Sequence, residues 1–118
     1  SHGVTLAYFD NDLWHRPGVY IKEINIIFIN RELSENAKKR VIYHELGHLD
    51  HSAELYQNNR TRCENEANRH MIHKLLEEEL SASDDHKSFN YLHFMQKHKL
   101  RTVTDELMVI DEYYELIG

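Results

Sequence analysis

The sequence predicts an α+β fold, on two observations. The first thirty residues are rich in β-branched and aromatic side chains, and the chain beyond Ser34 follows the 3.6-residue spacing of helices. Strands and helices are segregated along the chain rather than alternating, which marks the α+β class. The expected architecture is a small β-hairpin or three-stranded antiparallel sheet packed on one central helix, with further helices after it.

Residues 4–9 read as a first strand. Residues 10–16 are polar and irregular and lead to the only proline, Pro17, and to Gly18. Residues 19–22 and 24–29 make a strand pair with a tight turn near Lys22-Glu23. Ser34 is the N-cap, and Glu35 the first-turn acid, of a helix reaching about residue 51. Ala37, Val41, His44 and His48 form one stripe on it and Ile42, Leu46 and Leu49 a second, so this helix is expected to be mostly buried. A polar connection over residues 52–61 precedes a long helix over 62–80, with Cys63, Ala67, Met71, Leu75 and Leu76 at helical spacing. After a loop at 81–88, helices over 89–98 and 105–117, the second capped by Thr104, are expected to cover the core. Their contributions are Phe89, Leu92, Phe94 and Met95, then Leu107, Val109, Ile110, Tyr114 and Leu116.

The 118 residues make one domain, long enough to bury about two-thirds of its unfolded surface. With 41% hydrophobic and 29% charged residues the composition is that of a soluble globular protein. No apolar run approaches the length of a membrane span, and no signal sequence is expected. Ser1-His2-Gly3, without an initiating Met, reads as an expression remnant. A single cysteine, Cys63, allows no internal disulfide, and the expected compartment is the cytoplasm. A net charge of −6 argues against direct nucleic-acid binding, which draws its affinity from Lys and Arg on phosphates.

The chemistry is concentrated in His44-Glu45-Leu46-Gly47-His48, an H-E-x-x-H pattern. At i and i+4 on a helix two imidazoles project from one face and can share one metal ion, zinc being the usual one. Glu45, about 100° around the helix, stands beside that ion, where a carboxylate can take a proton from water. With ten histidines in the chain, chance alone produces such a pentapeptide roughly one time in ten, so its setting matters. A catalytic zinc needs a third protein ligand and an open position. Glu64 is the preferred third ligand, with Glu66 as the alternative; Glu66 falls about 200° from Glu64 and should face away. Asn68, one turn beyond Glu64 on the same face, is placed to hydrogen-bond the far nitrogen of His44 or His48. An oxyanion donor is also needed, and Tyr43, Tyr56, His15 and His51 are all candidates. His51 is read first as a helix-end histidine, Trp14 as packing and Cys63 as a small buried residue.

The pentapeptide followed by Glu64-x-x-Ala67-Asn68, with a hairpin ending at Ile29-Asn30 before it, resembles the zinc metallopeptidases of the ImmA/IrrE type. The resemblance spans roughly residues 13–76. The Glu-x-x-x-Asn pair is similar to the Glu-x-x-x-Asp of gluzincins. The resemblance implies a zincin-type active-site helix, His44, His48 and Glu64 as zinc ligands, Glu45 as base and Asn68 as support for a histidine. It also implies an origin on phages or other mobile elements, and a helix-turn-helix repressor as the partner whose cleavage relieves repression. The run Arg69-His70-Met71-Ile72-His73-Lys74-Leu75-Leu76-Glu77 departs from the family pattern, which has Phe-Ala and then Leu-Leu-x-Pro there. The expected function is thus a zinc endopeptidase. The alternatives are a zinc-stabilised module that engages a repressor without cutting it, and a domain that binds no metal.

Overall fold

A computed structural model describes residues 3–118; of the segment read as a remnant, Ser1 and His2 lie outside the described residues. Strands β1 (Thr5–Phe9), β2 (Gly18–Ile21) and β3 (Ile26–Asn30) are followed by helices α1 (Glu35–Leu46), α2 (Ala53–Asn58), α3 (Arg60–Ser81), α4 (Tyr91–Lys97) and α5 (Val103–Ile117), with a 3-10 turn at His86–Ser88. The fold is α+β, as the sequence predicts.

The sheet has three strands in the order β1-β3-β2 and is mixed rather than wholly antiparallel. β2 and β3 form the expected hairpin, Gly18 opposite Ile29 and Ile21 opposite Ile26. Its turn spans residues 22–25, closed by a hydrogen bond from the Asn25 N–H to the Lys22 carbonyl, with Asn25 at φ 56°. β1 pairs in parallel with β3, Thr5 opposite Ile26 through Phe9 opposite Asn30. The reason lies in burial. Ile27 and Ile29 are fully buried, which requires the central position for β3, so the loop over residues 10–17 carries the chain across to the far edge.

Ser34 caps α1 as read, its hydroxyl accepting from the Ala37 N–H. The helix is shorter than expected: it ends at Leu46, and residues 47–51 continue as i→i−3 turns, His48 N–H to Glu45 O and His51 N–H to His48 O. Nor is α1 the buried centre: none of its residues is fully buried. That place belongs to α3, which buries Cys63, Ala67, Met71, Ile72, Leu75, Leu76 and Leu80. Ser52 caps α2, a short helix inside the segment read as a polar connection.

The C-terminal helices build the core rather than cover it. Phe94 and Met95 of α4, Leu100, and Met108 and Val109 of α5 close on Met71, Ile72, Leu75 and Leu76. Leu92, Leu107 and Tyr114 face solvent instead, and α5 is capped by Thr102, two residues earlier than expected. Buried Glu112 ties α5 to α3, accepting from Arg69 at 2.7 Å and lying 3.0 Å from His73 Nδ1. Among the described residues no helix is long and apolar enough to cross a membrane.

Two residues in this framework have measurable consequences. A methyl group on Gly47 would lie 2.7 Å from the Ala67 Cα and 3.0 Å from its carbonyl oxygen, so α1 and α3 cross with no room between them. Gly47→Ala should lower stability by about 1–3 kcal/mol in urea titration, the usual cost of overpacking. His98 is buried, and desolvation, helped by the nearby charges of Lys97, Arg40 and Lys39 and opposed by Glu79, lowers its pKa from 6.5 to about 4. It is neutral in the fold, while the unfolded chain takes up its proton at higher pH. Its contribution is therefore intact above about pH 6.5 and is lost as pH falls toward 4. Thermal midpoints across that window should fall more steeply for the wild type than for His98→Leu.

Candidate metal centre

His44 lies in the last turn of α1, His48 on the first turn beyond Gly47, and Glu64 in the second turn of α3. Tightening of the chain after Leu46 still leaves the two imidazoles side by side, their ring centroids 4.9 Å apart. The His44 Nε2 and His48 Nε2 atoms are 3.2 Å apart; Glu64 places Oε2 3.1 Å from the first and Oε1 3.2 Å from the second. Four-coordinate zinc with bonds of about 2.0–2.1 Å has ligand atoms roughly 3.3 Å apart, and the 3.2 Å between the two imidazole nitrogens is close to that, with a Glu64 oxygen near each of them. The donor set, two imidazoles and a carboxylate, fits such an ion, and all three residues line one cleft.

The electrostatics agree with ligand duty. Burial pushes the Glu64 carboxyl up, but a hydrogen bond from the Tyr56 hydroxyl at 2.9 Å and the two histidines outweigh it and hold it below the usual range. Desolvation lowers the His48 pKa, with His44 and His51 adding to it and Glu64 opposing, which keeps a lone pair available. Glu45 stands beside this face. Burial, and secondarily Glu64, raises its pKa, while His44, Arg16 and the backbone N–H of Tyr20 pull it back.

The cleft over the site has a volume of about 490 Å³. Val19 and Tyr20 of β2 form one wall and Tyr56 of α2 another, with Arg16, His44, Glu45, His48 and Glu64 between them. Of the oxyanion candidates, Tyr56 and His51 line this cleft. Tyr43 is turned away, its hydroxyl donating to Glu78 at 2.7 Å, and His15 lies on the exposed loop before Pro17.

Glu66 faces away from the three donors, as its helical angle implies, and accepts from His51 while forming an ion pair with Arg62 at 3.7 Å. It still reaches the site indirectly. The His48 Nδ1 lies 2.9 Å from the His51 Nδ1, and the His51 Nε2 lies 2.9 Å from Glu66 Oε1. This chain can fix the His48 tautomer with Nε2 free for a metal, the task read for Asn68 from sequence. Asn68 is half-buried one turn beyond Glu64, and among the described residues it makes no hydrogen bond to His44 or His48. The i, i+3 spacing of His48 and His51 is the only sequence trace of this arrangement. Cys63 lies near His51 and Glu66, but burial raises its thiol pKa and disfavours a ligating thiolate.

The family model described as Peptidase_M78, the IrrE N-terminal-like domain, matches residues 1–108. No curated protein and no solved structure matches the chain.

The site's parts predict separable effects on metal affinity, read by competition with a chelator. Glu64→Gln should nearly abolish binding. His51→Ala should weaken it about 10- to 100-fold through loss of the His48 support, and Asn68→Ala should stay close to the wild type.

Proposed function

The chain belongs to the Peptidase_M78 family of IrrE N-terminal-like domains, and we propose that it is a zinc-dependent endopeptidase acting on a helix-turn-helix transcriptional repressor. One observation carries the hydrolytic reading: His44, His48 and Glu64 bring three potential ligand atoms within 4.8 Å of one another, with the Glu45 carboxylate in the same cleft. Zinc, when bound, supplies a Lewis acid and a water acidic enough to attack at neutral pH.

The chain's own groups do the rest. Glu45 accepts the proton of the attacking water and returns it to the leaving amine, and the burial that raises its pKa makes it a better base than a free glutamate. Tyr20 of β2 lies beside that carboxylate in the cleft. Tyr56, whose hydroxyl reaches Glu64, is the donor best placed to turn toward an oxyanion as the substrate carbonyl becomes tetrahedral. β2 is an edge strand, so an extended peptide can pair along it past the cleft.

A repressor with a basic DNA-binding face suits a chain of net charge −6, and the same charge disfavours DNA itself. The compartment in this reading is the cytoplasm, where such a repressor works, with no membrane involved. The residues matched to the family model include all of α1 and α3, which supports hydrolysis over a purely structural metal.

Glu45→Gln should bind zinc as the wild type does yet cleave the repressor encoded beside its gene at least about 1,000-fold more slowly. Gel analysis of the incubated pair, with a reporter for repression, checks both parts. Derepression that survives in Glu45→Gln with the repressor intact would instead mark a module that engages its partner without proteolysis.

A further inference from the structure

A second cavity, of about 460 Å³, borders α1 between Leu33 and Leu100 and reaches His44 and Glu45. Its walls are largely apolar: Pro17, Leu33, Ala37, Val41, Met71 and Leu100. It shares His44 and Glu45 with the cleft described above, so the reacting centre lies between the two spaces.

One group in this apolar wall is out of character. Arg40 lines it part-buried, and desolvation lowers its pKa. Among the described residues no carboxylate lies within 4 Å of its guanidinium, and its side chain donates no hydrogen bond. The acids at the neighbouring end of α3 are engaged elsewhere, Glu78 with Lys39 at 3.3 Å and Glu79 with Lys97 at 3.0 Å. Lys99 lines the same cavity, held at φ 56°, where a side chain is normally disfavoured. His98 beside it is buried with its Nδ1 unpartnered. A guanidinium with five donors, partly removed from water and left without a counter-ion, calls for an anion.

We propose that this cavity is a specificity pocket for a substrate side chain ending in a carboxylate, with Arg40 as its counter-ion. The inference rests on the peptidase reading of the same site and names the residue class it selects. Arg40 precedes His44 by four residues on α1, one turn or about 6 Å along the axis. That distance suits glutamate, whose methylenes would lie along Ala37, Val41 and Leu100 while its carboxylate meets the guanidinium; aspartate is a methylene short. The occupant is the residue adjoining the scissile bond, because the pocket begins at His44 and Glu45 themselves.

The test uses the zinc-loaded chain and short peptide hydroxamates, which bind a site metal without needing turnover. Matched compounds carry glutamate, glutamine or leucine beside the metal-binding group, and affinities are read by calorimetry. Glutamate should bind about 10- to 100-fold more tightly than glutamine. In Arg40→Met, with zinc content and thermal midpoint checked, that ratio should fall to near one; in Arg40→Glu a lysine-bearing compound should overtake the glutamate one. Equal binding of the three side chains, or tightest binding of leucine, would overturn the pocket assignment while leaving the metal site standing. Absence of binding by all three, with no zinc retained, would overturn both.

Discussion

The structure depends on one close approach, the crossing of α1 and α3 at Gly47 and Ala67. No side-chain atom separates the two backbones there, since even a methyl on Gly47 would sit 2.7 Å from the Ala67 Cα. Gly47 lies between His44 and His48, and Ala67 lies one turn beyond Glu64. The crossing therefore sets the separation of the donor atoms: helices held a few tenths of an ångström farther apart would take the Glu64 oxygens out of the 3.1–3.2 Å spacing. The two small residues thus matter to the chemistry as much as the residues that perform it. Their fixed distance rests on the core behind them, where α4 and α5 close on the lower half of α3.

Metal-binding donors confined in so small a space must be kept in the right protonation states. Two imidazoles 3.2 Å apart repel when both are charged, and burial disfavours the charge as well, so His48 stays neutral. Glu64 is drawn the other way, toward its anionic form, by the Tyr56 hydroxyl and the histidines. The result is an anionic carboxylate beside a neutral His48, a pairing that suits a dication. Outside them, the line from His48 through His51 to Glu66 ends on Arg62, so the polar chain terminates at a charge rather than at an unpaired atom.

Much of this was legible in the sequence because it is local. The pentapeptide, the Ser34 cap, the β2–β3 hairpin and the choice of Glu64 over Glu66 follow from spacing along single elements, and the structure brings His44, His48 and Glu64 together accordingly. What escaped depends on tertiary context. The parallel pairing of β1 is decided by the burial of β3, not by anything in residues 5–9 themselves. The hydrogen bond of His51 to His48 was hidden because α1 ends at Leu46 and the tighter turns that follow depart from an ideal helix. The cap at Ser52 was present in sequence, but the polar residues after it hid α2, and with it the placement of Tyr56 on the cleft wall.

The helices that lacked any chemical motif turn out to shape the site. Residues 98–100, the link between α4 and α5, form a wall of the cavity behind His44 and Glu45, and Leu100 is anchored there by its place in the core. Without that link the face of α1 carrying Ala37, Arg40 and Val41 would be open to water, and Arg40 would be an ordinary solvated cation. Enclosure changes its character, because an ion pair formed in a partly dry cavity is worth far more than one on the surface. Selectivity in so small a domain can therefore come from elements distant in sequence from the ligands. The cost of confining an unpaired guanidinium also explains why the pocket's walls must be stabilised independently, by the apolar contacts of α3, α4 and α5 rather than by the charge they enclose.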